Sequence, residues 1–565
     1  MRAWLGLVAA LVLGVILAIL ATTPPAPRDP RLTQGLFDLP RAEANLRRIA
    51  RAPHPTGSAE NALVRGFLAG EMARIGMDVS TREGVLDAKS TQRLNKWSGR
   101  SDPPAATVNL VGVLPGHDRA APAVLLMAHH DSVWGSPGAS DDGAGMATAL
   151  EVARQVAAKG PPRRDLIVLL TDGEELGLQG AAQFFAGDPL LGHIGAVINM
   201  EARGGGGRTT LFQTSAGNGE AVTAYARAVH RPGGSSLAAY IYSVLPNDTD
   251  LTPALKGDWA AWNFAFIGRP GLYHSPKATP EALDRGALQD MGWQVSELTQ
   301  ALLAAPELPG KAHDVVFFDL FGLVLLSWPA WLGWVMLAVA AGGLVLAASR
   351  EGNLRALGSG AGRMAALIVL AAATLFALNL ASGAGQGANY YDRLAAIPLL
   401  EVMVLLAALG CFMVVLGKGF AGAARQAGAA LPLLVIAAAM QGIAPTAAYV
   451  AVVPVMVGAV ALVLGEVLAK PAATLACAAL AGPIVGYQLA LGHQLMQGVG
   501  PTLPSAAALP LALGALVILP LWPGTSTRTA NLTGLALLGA ALAVALWVRL
   551  DPMADTVAIY SLASR

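Results

Sequence analysis

The feature that most constrains this 565-residue chain is its supply of lipid-length apolar runs. Residues 4–22 (WLGLVAALVLGVILAILAT) carry no charge. About 19 helical residues span roughly 28 Å, the depth of a bilayer core. From Phe321 onward about eight more candidate spans follow, near 326–348, 364–383, 398–416, 428–444, 447–468, 473–492, 505–522 and 531–548. Pro329, Pro432, Pro454 and Pro483 fall inside them, and lipid-embedded helices tolerate such prolines. Only the stretch from about 30 to 310 has the charge and alternation of a soluble domain. The expected division is an N-terminal anchor (1–30), a soluble domain (31–315), a helical membrane domain (316–550) and a short tail (551–565). A cleaved signal peptide competes for the first run, because ATTPPAP could hold a cleavage site. The run is longer than a typical signal core, which favours a retained anchor.

Charge sets the expected orientation. Arg350, Arg355, Arg363, Lys418, Arg425, Lys470 and Arg528 fall mostly in alternate loops, and the opposite loops carry little besides Arg393, with Arg549 ending the last span. With Arg2, the positive-inside rule places the N-terminus in the cytoplasm and the soluble domain on the far side. Nine spans would leave the C-terminus there too. Charged residues are 13% of the chain against 54% hydrophobic, well below a soluble protein. The net charge of +1 gives no hint of a nucleic-acid partner, and no basic, aromatic-rich strip appears; a peptide substrate and the bilayer are the expected partners, and oligomeric state is not readable. Cys411 and Cys477, the only cysteines, lie in the apolar half, so the soluble domain has no disulfide. Glu401 and Glu466 are the clearest acids within the spans. Such residues raise the question of a proton or solute path, but both sit near helix ends, where structural pairing or an interfacial position serves as well.

Within the soluble domain three short apolar runs end at residues able to hold a metal. AVLLMA (123–128) runs into His129, LIVLL (166–170) into Thr171-Asp172-Gly173-Glu174-Glu175, and AVINM (196–200) into Glu201. They read as strands buried on both faces, continuous rather than alternating. Helical patterns separate them, Gly143–Lys159 and Gly177–Phe185. Strand, helix, strand predicts an α/β layered domain, a mostly parallel sheet sandwiched by helices. Open sheets of this kind hold ligands beyond the carboxyl ends of their strands, where these residues fall. Asp141 (in SDDGAG) and His274 (in LYHS) complete a set of two histidines and three carboxylates, which suits a pair of borderline cations such as Zn²⁺. Glu174 is then a spare carboxylate, placed as a general base for metal-assisted hydrolysis. Each residue has a plainer alternative: His129 and His130 as hydrogen-bonded core histidines, Asp141 or Asp142 as a helix cap, Glu174 and Glu175 as a solvated turn, His274 as packing. Five such coincidences, each at a turn with suitable chemistry, favour the metal site.

HHDS, SDDGAG, DGEELGLQGA, NMEARG and YHS, in this order, resemble the di-zinc aminopeptidases, the group that also contains glutamate carboxypeptidase. The likeness is closer to the membrane-bound branch with the endoplasmic reticulum metallopeptidase and the vacuolar membrane protease. Supporting residues are Asn199 to Gly204, Leu211 to Thr214, Asn247 to Asp250, Phe264 to Phe266 and Phe317 to Asp319. The resemblance covers about 40–320. It implies a zinc-exopeptidase-like fold and two Zn²⁺ per chain, with Asp141 bridging the ions, His129 and Glu201 completing one, and Glu175 and His274 the other. It implies that Glu174 moves a proton from a metal-bridged hydroxide's parent water to the leaving amine, and that Asp131 holds the His129 imidazole. It implies a cis Asp141–Asp142 peptide and makes Tyr273 a candidate donor to the oxyanion. A glutamate at 201, where soluble relatives commonly have aspartate, keeps the donor on a longer arm.

The chain departs from the family pattern after His274, where Ala278 replaces an expected aspartate and puts outer support of His274 in doubt. Thr279-Pro280-Glu281 is expected to open a helix with Thr279 as its cap. Longer relatives continue into a large domain after the last span, which a chain stopping at Arg565 is expected to lack. The implied function is a membrane-anchored exopeptidase, an aminopeptidase acting on peptides at the non-cytosolic face. A bacterial inner membrane with a periplasmic domain is the expected setting, an organelle membrane with a lumenal domain the alternative. Competing functions are a single-zinc glutaminyl cyclase-like enzyme, a catalytically silent receptor or scaffold, and a transporter with a peptidase appendage. The complete ligand set argues against the first two. No inverted repeat supports the last.

Overall fold

The computed structural model describes residues 2–29, 37–385 and 389–550; the expected tail at 551–565 lies outside them. Two compact units divide the chain. One takes residues 2–22 and 328–550; the other takes residues 23–327.

The second unit is built on a seven-stranded sheet: β1 (Asp78–Val85), β2 (Ala106–Leu114), β3 (Ala123–His129), β4 (Leu166–Thr171), β5 (Ile194–Ala202), β6 (Thr210–Thr214) and β7 (Ala260–Phe266). Their order is β1-β2-β4-β3-β5-β7-β6. The central four, β4-β3-β5-β7, are parallel, and the flanking strands run antiparallel. All residues of β3, β4 and β7 are buried. Alternate side chains serve two cores. Val124, Leu126 and Ala128 join Leu68, Met146 and Leu298 in one; Leu125 and Met127 join Phe184 and Leu251 in the other. A strand covered on both faces has no polar side to show, which is why its sequence reads as one apolar run.

The first of the two expected helices begins at Gly143 and ends at Ala158, one residue short of Lys159. The next spans Gln179–Gly187 rather than starting at 177, because Gly177 (φ +116°) and Leu178 (φ +59°) take left-handed conformations. The helix expected to open at Thr279 begins instead at Arg285. Asp284 caps it by accepting from the Gly286 and Ala287 N–H groups at 2.8 and 3.3 Å, while 279–283 forms turns. The unit also runs beyond 315: β8 (Val315–Leu320) and β9 (Val324–Pro329) pair as a two-stranded sheet. Phe317 and Leu325 lie in the larger core.

Among the described residues, nine helices of the other unit are long and apolar enough to cross a membrane: Trp4–Thr22, Leu332–Glu351, Leu354–Ala381, Ile397–Leu416, Ala423–Ile443, Tyr449–Val467, Lys470–Gly498, Pro504–Leu521 and Thr527–Leu550. The second starts at 332, not 326, because residues through Pro329 belong to β9. Helix Trp4–Thr22 packs on Lys470–Gly498 through glycines; a Cβ on Gly486 would lie 2.9 Å from the Gly14 carbonyl oxygen. Small residues let apolar helices approach this closely. The cation-bearing connections gather at one end. Arg363 donates to the Val415 and Gly419 carbonyls at 2.7 and 3.0 Å, Glu351 accepts from the Ala423 N–H at 2.6 Å, Trp522 donates to Gly417 at 3.0 Å, and Trp4 stacks edge-on against Trp522. Toward the other end Arg393 donates to Asn379 at 2.6 Å and to Ser382 at 2.9 Å. Glu401 is paired, accepting from Gln497 at 2.8 Å with His493 at 2.9 Å. Glu466 is exposed on the last turn of its helix.

Candidate metal centre

The sheet brings the sequence-predicted residues together at the carboxyl ends of its parallel strands. His129 is the last residue of β3 and lies beside Thr171 of β4 in register; Glu201 is the penultimate residue of β5. The β4 strand breaks at Gly173, whose φ of +74° suits glycine. The turn then closes on itself, with the Gly177 and Leu178 N–H groups donating to the Glu174 carbonyl at 2.8 and 2.9 Å.

Asp141 stands at the middle. Its Oδ1 lies 3.1 Å from His129 Nε2, and its Oδ2 lies 3.3 Å from His274 Nε2. His129 Nε2 is also 3.9 Å from Glu201 Oε2, and His274 Nε2 is 3.2 Å from Glu175 Oε2. Two ligand-sized groups result, His129–Asp141–Glu201 and Asp141–Glu175–His274, each with its donor atoms within 4.8 Å of one another; His129–Glu174–Glu175 forms a third. The peptide between Asp141 and Asp142 is cis. The pair of aspartates divides the two readings that their sequence left open. Asp141 turns to the histidines, whereas Asp142 Oδ1 caps the following helix by accepting from the Gly145 N–H at 3.0 Å. Gly145 makes room for that cap; a Cβ there would meet Asp142 Oδ2 at 2.3 Å. The two adjacent histidines divide likewise. His130 is a core histidine, its Nε2 at 2.8 Å from the Val108 carbonyl and its Nδ1 at 3.2 Å from Asn61 Nδ2.

The donor set fits divalent cations. His129 Nδ1–H donates to the Asp131 carbonyl at 2.9 Å, which fixes the tautomer and turns the Nε2 lone pair toward Asp141 Oδ1. Two acceptors at that distance need a proton or a cation between them. Glu175 Oε1 is buried and accepts no hydrogen bond among the described residues. Burial pushes Glu174 well above the usual carboxylate range, Glu201, Glu175 and Asp250 pushing the same way against His129. Burial likewise raises Glu201 to about 8. For Asp141 burial is outweighed by the hydrogen bonds to His129 and His274, which leave it at about 2. A buried group so rich in carboxylates is costly unless cations compensate it.

Asp131 does more than hold an imidazole. Its carboxylate is 3.6 Å from His129 Nδ1 and accepts the Glu174 and Glu175 N–H groups at 3.0 and 3.2 Å. Tyr273 stacks on His274, ring centroids 3.6 Å apart. Sequence reasoning passed over three neighbours. Asp250 accepts from the Thr171 hydroxyl, and burial raises it to about 7. Asn199 donates to Glu201 Oε1 at 3.1 Å. The Tyr242 hydroxyl is buried, and burial, with the negative charge of Glu201, pushes it up. Asp250 lay within a quoted motif, whereas Tyr242, on the helix Ser236–Val244, carries no sequence signal.

Residues 109–299 match the model described as Peptidase family M28. Endoplasmic reticulum metallopeptidase 1 of Rattus norvegicus is 32% identical over 320 residues, 53% of this chain and 35% of that protein. The vacuolar membrane protease of Schizophyllum commune (strain H4-8 / FGSC 9210) is 32% identical over 337 residues, 56% of this chain and 35% of that protein. The chain thus spans about a third of the length of these curated relatives. Among solved structures, an aminopeptidase from Aneurinibacillus sp. strain AM-1 is similar at 14% identity, with a TM-score of 0.39, over 51% of this chain and 99% of that one.

Proposed function

We propose that this chain, whose residues 109–299 form a peptidase family M28 domain, is a membrane-anchored di-zinc exopeptidase, an aminopeptidase, acting on peptides at the non-cytosolic face. The observation that carries the reading is the split of Asp141, with one carboxylate oxygen toward His129 and the other toward His274. His129, Asp141 and Glu201 would hold one Zn²⁺, and Asp141, Glu175 and His274 the other. A bound pair supplies Lewis acidity and a water that ionises near neutral pH.

The chain's own residues do the rest. Glu174, half-buried beside the candidate ligands, belongs to neither of the two Asp141 groups. Its carboxylate takes a proton from the attacking water and gives it to the leaving amine nitrogen as the C–N bond breaks, so peptide and water become acid and amine. Asp131 positions Glu174 through the backbone N–H it binds. The hydroxyls of Tyr273 and Tyr242 are the candidate donors to the carbonyl oxygen as it gains charge. The aminopeptidase assignment rests on the motif order HHDS, SDDGAG, DGEELG, NMEARG, YHS.

The proposed orientation has two supports. The cationic connections lie together at one end of the helical unit, and the positive-inside rule puts that end in the cytosol. Residues 23–327 then lie on the opposite side. A bacterial inner membrane is the setting we favour. Purification in detergent, metal analysis and a screen of unblocked against N-blocked peptides test the function. Two zinc ions with cleavage confined to unblocked peptides is the expected result; a metal-replete sample inert toward every peptide would overturn it.

A further inference from the structure

The helix Ala88–Ser98 is tied to the turn that carries Glu174 and Glu175. Ser90 Oγ donates to the Leu176 carbonyl at 2.8 Å, and Arg93 Nη1 donates to the Glu175 carbonyl at 3.2 Å. Leu94 packs with Leu86 and Leu176, with Trp97 and Trp134 against them. With that face committed, the helix turns Lys89, Gln92, Arg93 and Lys96 outward, all exposed. Their spacing of i, i+3, i+4 and i+7 is one helical stripe. These four and Trp97 line a groove of about 450 Å³.

The stripe carries an uncompensated charge. Lys89, Arg93 and Lys96 form no ion pair among the described residues. Asp87, the nearest acid in sequence, is spent on capping the helix at 2.7 Å and on Gln179 at 3.2 Å. Asp102 is paired with Arg100 at 2.8 Å. Seven residues of helix span about 10 Å, the length of about three residues of extended peptide. An ordinary solvated helix face would mix its charges and would have no bond to a metal-ligand carbonyl.

We infer that this stripe, held to the turn that carries Glu174 and Glu175 through Arg93, reads a carboxylate on the substrate, so that preferred peptides carry a negative charge near the scissile bond. The inference rests on the peptidase reading above. Lys89 and Lys96 supply the field, and Arg93 connects it to the Glu175 turn. The carboxylate is either a peptide's free C-terminus or an acidic side chain.

Three tripeptides with unblocked amino termini test this on the full chain in detergent: an uncharged amide, the same sequence as a free acid, and an amide with glutamate third. At low salt kcat/KM for a carboxylate-bearing peptide should exceed that of the neutral amide by about tenfold, falling to about twofold near 0.5 M salt. Preference for the free acid alone identifies the terminus; preference for both acidic peptides identifies the charge wherever it lies. In K89E/K96E the ratio should invert. Equal kcat/KM for all three peptides, or a preference that survives charge reversal, would overturn the inference while leaving the peptidase reading intact. If no peptide is cleaved, the peptidase reading fails, and binding of the same peptides to Glu174→Gln, followed by tryptophan fluorescence, still decides. Salt-sensitive binding of the acidic peptides alone supports the stripe, and indifferent binding removes it.

Discussion

The backbone N–H of Glu174 donates to Asp131 Oδ1 at 3.0 Å. The neighbouring Glu175 N–H takes the other oxygen of the same carboxylate, at 3.2 Å. One aspartate, two residues beyond His129, therefore fixes both the residue proposed for proton transfer and a proposed metal ligand in the turn after the next strand. In Asp131→Ala two part-buried N–H groups lose their acceptor, at about 1 kcal/mol each. We expect kcat to fall by more than about tenfold and the melting temperature to drop. Asp131→Asn keeps one acceptor oxygen and should fall between. Wild-type kcat in Asp131→Ala would remove the aspartate from this role.

Glu174→Gln keeps the shape of the side chain and removes the base. Turnover should fall by about 10²–10⁴-fold, the usual worth of a positioned proton carrier. Zinc content by mass spectrometry should stay at wild-type level, because the two Asp141-centred groups do not include Glu174. Loss of metal together with activity would assign Glu174 to the His129–Glu174–Glu175 group instead.

Asp141 and Glu201 should differ in metal stoichiometry. Asp141→Ala removes the carboxylate shared by both groups, so both ions should be lost on dialysis. Glu201→Ala touches only the His129 group and should lose one. Equal losses from the two variants would contradict a bridging Asp141.

His54 gives a pH test at a buried residue that is not itself a candidate ligand. It is fully buried, and burial lowers its pKa to about 4 against the opposing bond to the Ala52 carbonyl. A base with a depressed folded pKa binds its proton more readily unfolded. Its contribution to stability is therefore complete above the unfolded value near 6.5 and is lost as pH falls toward 4. The loss over that window should be about 3 kcal/mol. Thermal unfolding of chelator-treated protein between pH 7 and pH 4 should show it (about these limits), and His54→Leu should have a shallower slope. Parallel slopes would show that His54 does not titrate in this window.

Orientation can be read with single cysteines in a Cys411→Ala/Cys477→Ala background. A cysteine at Gly192, in the Pro189–His193 turn, should react with a membrane-impermeant thiol reagent in intact cells, and one at Gly352, between the second and third spans, only after permeabilisation. The reverse pattern would invert the assignment.

The two kinds of information have separate reach. Sequence alone determined the nine apolar spans, the buried parallel strands, and the candidate ligands at their carboxyl ends. These are local properties: a run of lipid length, a strand with no polar side, a polar residue at the point where an apolar run stops. It also picked His129 and Asp141 from their adjacent pairs, with a core histidine and a helix cap as the plainer alternatives. Only the tertiary structure decided that His129 faces the centre while His130 bonds to Val108, and that Asp141 meets the histidines while Asp142 caps a helix. Consecutive side chains leave a strand end in opposite directions, so which one enters the crevice depends on sheet register and helix packing. Asp250, Tyr242 and the Arg93 stripe were hidden for the same reason. Their surroundings come from elements distant in sequence, β4 for Asp250, β6 for Tyr242 and the Glu175 turn for Arg93, and no local pattern encodes contacts of that range.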